Sequence, residues 1–173
     1  KHLQFAVTLT LKMSATIKHK RFTNYGDDFY SFQQCLTQEI LDGTVKWFTK
    51  LLTTSLYGNQ SKHKNKQEWA LPLIITCIEG RNSGKRTHLH LAIGNVPVAK
   101  CVNFKMLVAQ SWERCDFAAK SVCIKPITNA SGWLTYITKE AGYADSDALD
   151  IVASTIPPFI QQSICTESRL LTA

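Results

Sequence analysis

The hydrophobic pattern of the chain alternates in four stretches, and each of them predicts a β-strand. LQFAVTLTL at 3–11 is rich in Val, Thr and Phe, residues that favour a pleated sheet, so it predicts the first strand. WALPLIITCIE at 69–79 and THLHLAIG at 87–94 predict two strands that a glycine-containing loop at 80–86 joins as a hairpin. KSVCIKPI at 120–127 predicts a fourth strand.

Apolar residues recur at helical spacing in other parts of the chain. The first such stretch is 28–57, in which we expect Asp27 or Asp28 to cap a helix and Gly43 to mark a break within it. The second is VNFKMLVAQSWER at 102–114, which predicts a helix between the third and fourth strands.

A third helix is predicted from ASGWLTYITKEAGY at 130–143, with Ser131 as its expected cap. The order strand, helix, strand, strand, helix, strand is that of a split β-α-β, ferredoxin-like core. We therefore expect an α+β fold with a mostly antiparallel sheet, helices packed on it and an extra C-terminal helix. The length of 173 residues fits one domain over 1–173, with 145–173 expected as a C-terminal extension.

The chain is basic, with a formal net charge of +7. Three runs concentrate this charge, and we expect each to be a loop: KHKRF at 18–22, SKHKNK at 61–66 and GRNSGKR at 80–86. Clustered Lys and Arg raise affinity for phosphate backbones through counterion release, so the charge favours a nucleic-acid partner. An ordinary solvated loop is the alternative for any one run.

Hydropathy and cysteine usage exclude other classes of protein. No apolar run reaches the length that spans a membrane, so we expect a soluble protein that is not exported and has no membrane partner. The six cysteines show no C-x-x-C spacing, and several lie in apolar runs. We expect them to be reduced thiols that behave as small hydrophobic residues.

Two histidines in the predicted hairpin are the first candidates for chemistry. Alternation along a strand places His88 and His90 on one face, where two imidazoles can bind one metal ion. Strand pairing brings Glu79 near them, which gives two nitrogen ligands and one oxygen ligand and leaves coordination positions open. Two alternatives stay open. The histidines can be solvated, and Glu79 can form an ion pair with a basic residue of the loop, which offers Arg81, Lys85 and Arg86.

A tyrosine and a lysine on the third predicted helix form the second candidate element. Tyr136 and Lys139 are three residues apart and share a helical face. A tyrosine hydroxyl, with an ordinary pKa of about 10, is a poor nucleophile, but a neighbouring cation favours the phenolate. Tyr143 lies one further turn along this face and is a possible second nucleophile or stacking group.

Taken together, FAVTLTLK, HLHLAIG and YITK stand in the order of the motifs of a known family. The chain resembles the HUH endonuclease superfamily, in particular the single-tyrosine rolling-circle replication initiator (Rep) proteins of plasmids and single-stranded DNA viruses. The resemblance implies a metal-dependent nickase and strand transferase in which Glu79, His88 and His90 hold Mn²⁺ or Mg²⁺. It further implies that Tyr136 attacks the scissile phosphate, that Lys139 assists, and that the product is a 5′-phosphotyrosine.

The same resemblance implies a partner and a location. The substrate would be single-stranded DNA at a replication origin, such as a stem-loop, and Arg81, Lys85 and Arg86 would contact it. A helicase domain or host replication proteins would act with it, in a bacterial cytoplasm or a host nucleus. Three alternatives remain: a relaxase or transposase of the same superfamily, a non-catalytic module that binds single-stranded nucleic acid, and a zinc hydrolase that uses the same ligands.

Overall fold

The computed structural model describes residues 2–23, 26–63, 65, 69–80, 86–142 and 148–161, in which seven strands and four α-helices are defined. The strands are β1 Leu3–Leu11, β2 Ser14–Thr23, β3 Gly26–Cys35, β4 Leu73–Glu79, β5 His88–Gly94, β6 Ala118–Pro126 and β7 Leu149–Thr155. The helices are α1 Gln38–Tyr57, α2 Val98–Cys101, α3 Phe104–Glu113 and α4 Ala130–Ile137, with 3₁₀ turns at Gly58–Lys62 and Lys139–Gly142.

Five strands form one antiparallel sheet in the order β6-β1-β5-β4-β7, and helices pack on it. This confirms the α+β class, the first strand, the β4–β5 hairpin and the strand near residue 120. Strand β5 is at the centre of the sheet, and its side chains are buried on both faces. Leu89 and Leu91 point to one face, and His90 and Ala92 point to the other.

The main hydrophobic core lies between one face of this sheet and helices α1 and α3. Helix α1 buries Leu41, Val45, Phe48 and Leu52, a spacing that places all four side chains on one stripe. The Phe48 ring meets the ring of Trp112 on α3 edge to face, with centroids 5.5 Å apart. These contacts fix the sheet against the two helices.

The predicted first helix is wrong over its N-terminal third. Residues 26–35 form β3, and α1 begins only at Gln38, where the Thr37 side chain accepts a hydrogen bond from the Ile40 N–H. Asp27 and Asp28 therefore do not cap a helix. Gly43 does not break α1, which continues to Tyr57.

Strand β3 pairs in full with β2, and the two form a separate two-stranded sheet. The basic run at 18–22, expected as a loop, lies within β2. The run at 61–66 begins in the 3₁₀ turn that follows α1, and most of the run at 80–86 lies outside the described residues. Pairing with the next strand along the chain thus overrides the expectation of a loop at the first run.

Helix α4 packs on the opposite face of the large sheet. Ile137 is buried there against Cys77 and Ala92, with Trp133 and Leu134 partly buried beside them. The helix is capped by Asn129, whose side chain accepts a hydrogen bond from the Gly132 N–H at 2.9 Å, so the expected Ser131 cap is wrong. This helix ends at Ile137, six residues before the predicted end.

The segment expected as a C-terminal extension contributes to the sheet. Leu149–Thr155 forms β7, which pairs with β4 at the edge of the sheet. The cysteines that the structure describes, Cys35, Cys77, Cys101, Cys115 and Cys123, are free thiols as expected. Within the described ranges, no helix is both long and apolar enough to cross a membrane.

Candidate functional site

The candidate site lies on the α4 face of the sheet, at the end where β4 turns into β5. Glu79 is the register partner of His88, and Cys77 is the partner of His90. On the other side of β5, Thr8 of β1 is the partner of His90. The hairpin and its alternation therefore bring the predicted residues Glu79, His88 and His90 to one face, as the sequence indicates.

His90 is almost fully buried and is hydrogen-bonded at both ring nitrogens. Its Nε2 lies 2.6 Å from Glu79 Oε2, and its Nδ1 lies 3.0 Å from Thr8 Oγ1. Because an ionised carboxylate only accepts hydrogen bonds, Nε2 carries the proton and Nδ1 accepts from the Thr8 hydroxyl. Burial lowers the pKa of His90, although the hydrogen bond and charge of Glu79 act in the opposite direction. The imidazole is accordingly neutral.

Glu79 also forms an ion pair with the predicted helper lysine. The Lys139 Nζ lies 3.3 Å from Glu79 Oε1. Burial acts to raise the pKa of Glu79, but the hydrogen bonds and charges of His90 and Lys139 outweigh burial and hold that pKa below its usual value. Burial acts to lower the pKa of Lys139, and Glu79 reverses this effect so that the pKa is raised. Both groups are charged at neutral pH.

His88 is half-buried and is oriented by the backbone. Its Nδ1 donates a hydrogen bond to the carbonyl oxygen of Arg86 at 2.6 Å, so the Nε2 of the neutral ring carries a lone pair. The His88 and His90 rings are nearly parallel, with centroids 6.4 Å apart. The hydrogen bond to Arg86 thus leaves the Nε2 of His88 as the other ring nitrogen, on the same face of β5 as His90.

Tyr136 stands over this cluster on α4. Its ring centroid lies 5.7 Å from that of His90, and the Lys139 Nζ lies 4.3 Å from the centre of the Tyr136 ring. The Trp133 ring stacks on the Tyr136 ring with centroids 5.3 Å apart and also lies 6.1 Å from the His90 ring. The Tyr136 side chain is still 46% exposed, so a ligand on this face can reach its hydroxyl. Helix α4 and the turn after it thus bring the predicted pair Tyr136 and Lys139 onto the hairpin residues.

Of the four remaining predicted residues, the structure describes only Arg86. Tyr143, Arg81 and Lys85 lie outside the described residues. Arg86 is exposed, and its carbonyl oxygen is the acceptor for His88. The contact from Arg86 to the site is thus made by its backbone.

Two residues that contact the site were not predicted. The Thr8 hydroxyl is hydrogen-bonded to the Nδ1 of His90, and the Trp133 ring packs on the rings of both His90 and Tyr136. Within the described parts of the chain, the Trp133 Nε1 is one of two buried side-chain polar atoms that have no hydrogen-bond partner. The spacing of Trp133, three residues before Tyr136 on one helix, is the signal that could have identified it.

The donor atoms at the site suit a divalent metal ion. The Nδ1 of His88 donates to a backbone carbonyl, which is how metal-binding histidines are commonly oriented, whereas the Nδ1 of His90 accepts from Thr8 and its Nε2 donates to the Glu79 carboxylate. Across the described ranges, no group of three or more His, Cys, Asp or Glu side chains has the geometry of a metal site.

No known protein family, no curated protein sequence and no solved structure matches the chain. The residues of the site therefore carry the functional argument.

Proposed function

We propose that the protein is a metal-dependent endonuclease and strand transferase that acts on single-stranded DNA through a tyrosine nucleophile, as in the HUH superfamily. The observation that carries the proposal is the convergence of two separate parts of the chain, the β4–β5 hairpin with Glu79, His88 and His90 and the α4 region with Tyr136 and Lys139. Glu79 contacts both His90 and Lys139, and Lys139 in turn lies over Tyr136.

The strand order supports the finer description of the fold. Leaving aside the edge strand β7 and the separate β2–β3 sheet, the sheet reads β6-β1-β5-β4, with α1 after β1 and α3 between β5 and β6. We propose that this is a ferredoxin-like split β-α-β core. Helix α4 lies on the face that α1 and α3 leave open, and there it presents Tyr136 to the hairpin.

The metal ligands would be Glu79, His88 and His90. A neutral His88 that donates from Nδ1 would offer its Nε2 to the metal, whereas His90 would have to move its proton from Nε2 to Nδ1. The Thr8 hydroxyl permits this exchange because it can accept a hydrogen bond as well as donate one. Mn²⁺ or Mg²⁺ held there would stabilise the negative charge that develops on the scissile phosphate.

The protein residues supply the nucleophile and its positioning. The Tyr136 hydroxyl would give up its proton to solvent, and its oxygen would attack phosphorus as the bond to the 3′-oxygen breaks. The 3′-oxygen would take up a proton from solvent and leave as a 3′-hydroxyl, and the 5′-phosphate would become esterified to the tyrosine. Trp133 and His90 both pack on the tyrosine ring, which fixes its direction of attack. The covalent ester retains the bond energy, so a 3′-hydroxyl can later reverse the reaction.

The test is covalent capture of labelled single-stranded DNA in the presence of Mn²⁺. We expect wild-type protein to give a band of increased mass that carries the label, and Tyr136→Phe to give none while it still binds DNA, because only the attacking oxygen is removed. Tyr30→Phe, at an exposed tyrosine of the β2–β3 sheet, is the matched control and should form the adduct normally. An adduct that persists in Tyr136→Phe and disappears in Tyr143→Phe would assign the nucleophile to Tyr143.

A non-catalytic module that binds single-stranded nucleic acid is the second candidate. The observation that favours it is the closed network in which Glu79 uses both oxygens on His90 and Lys139, because such a network is also a stable structural arrangement. This candidate predicts DNA binding that Mn²⁺ leaves unchanged and no covalent adduct in any variant. The capture experiment therefore separates the two functions.

A further inference from the structure

A cavity of about 350 Å³ lies between helix α1 and the edge strand β7, away from the face of the sheet that carries α4. Helix α1 contributes five side chains that share one face because they are three or four residues apart: Lys46, Thr49, Lys50, Thr53 and Thr54. The 3₁₀ turn after α1 adds Lys62, and β7 contributes Val152 and Thr155. We refer to this site as the lysine cavity.

The charge of the lysine cavity is entirely positive. Lys46, Lys50 and Lys62 line it, and no Asp or Glu of the described residues does so. Within the described ranges, none of these three lysines forms an ion pair; the Lys50 Nζ lies 5.3 Å from the centre of the Trp47 ring. Lys46 and Lys50 are four residues apart on one helix, where like charges repel each other. This arrangement is favourable only when an anion lies between the charges.

Two carboxylates lie close to the lysine cavity, but their hydrogen bonds are made elsewhere. Asp42 and Asp150 line an adjoining depression that shares Lys46 with the cavity. The Asp42 Oδ1 accepts a hydrogen bond from the Gln38 side chain at 2.6 Å, and the Asp150 Oδ1 accepts one from the Ala153 N–H at 2.9 Å. The part of the chain that the structure describes therefore leaves the lysines without a carboxylate partner.

Two hydroxyl groups of the cavity wall lack hydrogen-bond partners as well. A threonine inside a helix can donate to the carbonyl four residues earlier, as Thr44 and Thr54 do in α1. Thr53 is only 9% exposed, and among the described residues its hydroxyl has no such partner. The Thr49 Oγ1 is the second of the two buried side-chain polar atoms that have none in this part of the chain. Because an unpaired buried hydroxyl is unfavourable, both call for a ligand.

We propose that the lysine cavity binds a phosphate group. Ammonium groups bind phosphate as point charges, and threonine hydroxyls donate hydrogen bonds to phosphate oxygens. A free nucleotide and a strand of nucleic acid present the same chemistry. The volume of the cavity lies within the roughly 300–1,000 Å³ of small-ligand sites, so it can also accommodate the rest of a nucleotide. The site is separate from Tyr136 on the α4 face and does not depend on the proposed cleavage.

The experiment titrates the chain with inorganic phosphate and follows the backbone amide signals of α1 by nuclear magnetic resonance. Sodium chloride keeps the ionic strength constant. The test variant is Lys46→Gln/Lys62→Gln, which leaves Lys50 with its contact to Trp47. The matched control is Lys105→Gln/Lys120→Gln, which removes the same charge from exposed positions of α3 and β6.

We expect saturable shifts at residues 46–54 in the wild-type chain. The dissociation constant should rise about tenfold or more in the test variant, because two charge-assisted contacts are lost, and should stay unchanged in the control. Thr53→Val should weaken binding about threefold or more without lowering the thermal midpoint, because it removes an unpaired hydroxyl and keeps the shape of the side chain.

The same titration with a deoxynucleoside monophosphate and with an oligonucleotide identifies the source of the phosphate. Tighter binding of the mononucleotide with no further gain from the oligonucleotide would assign a free nucleotide, and a further gain would assign a strand. Shifts that grow linearly with phosphate and do not saturate would overturn the proposal. Saturation with the same dissociation constant in wild type and Lys46→Gln/Lys62→Gln would overturn it too.

Discussion

Replacing Glu79 with glutamine tests both its contacts with His90 and Lys139 and the proposed metal site, because this carboxylate belongs to both. Glu79→Gln preserves side-chain size and removes one negative charge. In the folded protein that charge accepts a hydrogen bond from His90 at 2.6 Å and faces Lys139 at 3.3 Å, while the Glu79 side chain is only 17% exposed. Both partners should therefore respond to the substitution.

The expected loss of stability follows from these two contacts. A hydrogen bond to a charged group contributes about 1.5–3 kcal/mol and a neutral one about 1 kcal/mol, so the glutamine oxygen would retain part of the contact with His90. The Lys139 side chain is 41% exposed, which limits the lost ion pair to about 0–1 kcal/mol. We expect the free energy of unfolding to fall by about 1–2 kcal/mol in total.

The pH of the measurement follows from the pKa of Glu79. Since the folded pKa lies below the ordinary value of 4.5, the stabilisation from Glu79 is complete above pH 4.5 and is lost as the pH falls through the folded pKa. Urea unfolding at neutral pH therefore measures the whole effect. The control is Glu113→Gln at the exposed C-terminal end of α3, which should leave stability within about 0.5 kcal/mol of wild type.

A titration of nicking rate against Mn²⁺ then separates a structural carboxylate from a metal ligand. If Glu79 is a ligand, the Glu79→Gln curve shifts to higher Mn²⁺ and the rate recovers partly at saturation. Superimposable curves together with the loss of stability would leave Glu79 a purely structural role. An unchanged free energy of unfolding would refute the contacts of Glu79 with His90 and Lys139, from which the expected loss of about 1–2 kcal/mol was calculated.

Substitutions at four further positions test other parts of the site and sheet. Thr8→Val should reduce the nicking rate about 10- to 100-fold and Thr8→Ser should restore it, as measured by initial rates, because the hydroxyl orients His90. Both His90→Ala and His88→Ala should weaken Mn²⁺ binding in calorimetry, but only His90→Ala should also lower the free energy of unfolding, by about 2 kcal/mol, because its ring is buried and hydrogen-bonded at both nitrogens. Gly94→Ala should lower the thermal midpoint and cost about 1–3 kcal/mol or more, because the added methyl group would overlap the backbone carbonyl of His2.

The hairpin part of the site was predictable because its signals are local. Alternation alone places His88 and His90 on one face, and a short glycine-containing connection after Glu79 brings the two strands together. Thr8 carries no such signal. Thr8 and Thr10 look equivalent in the sequence, and only the register of β1 against β5, set by long-range packing, places Thr8 opposite His90.

The β2–β3 sheet was missed for a different reason, because its two strands are neighbours in the sequence. Phe29, Phe32 and Leu36 are spaced as on a helix, yet the pairing of 26–35 with the preceding strand at 14–23 decides the conformation of that segment. The edge strand β7 resembles Thr8 instead, because its pairing with β4 joins residues more than 70 positions apart. Strand pairing outweighs a weak local preference in both places, but only at β7 is that pairing long-range.

The position of Lys139 links the two halves of the candidate site. Its ammonium group lies between the Glu79 carboxylate and the Tyr136 ring, so the charge on Glu79 determines how that cation is shared. A ligand that draws Glu79 towards itself would leave Lys139 with the tyrosine as its nearest partner. If the proposed metal site is correct, metal binding at the hairpin would therefore change the electrostatic surroundings of the proposed nucleophile through one side chain. The Y-x-x-K spacing suits this arrangement because the turn after α4 places the lysine within reach of both groups.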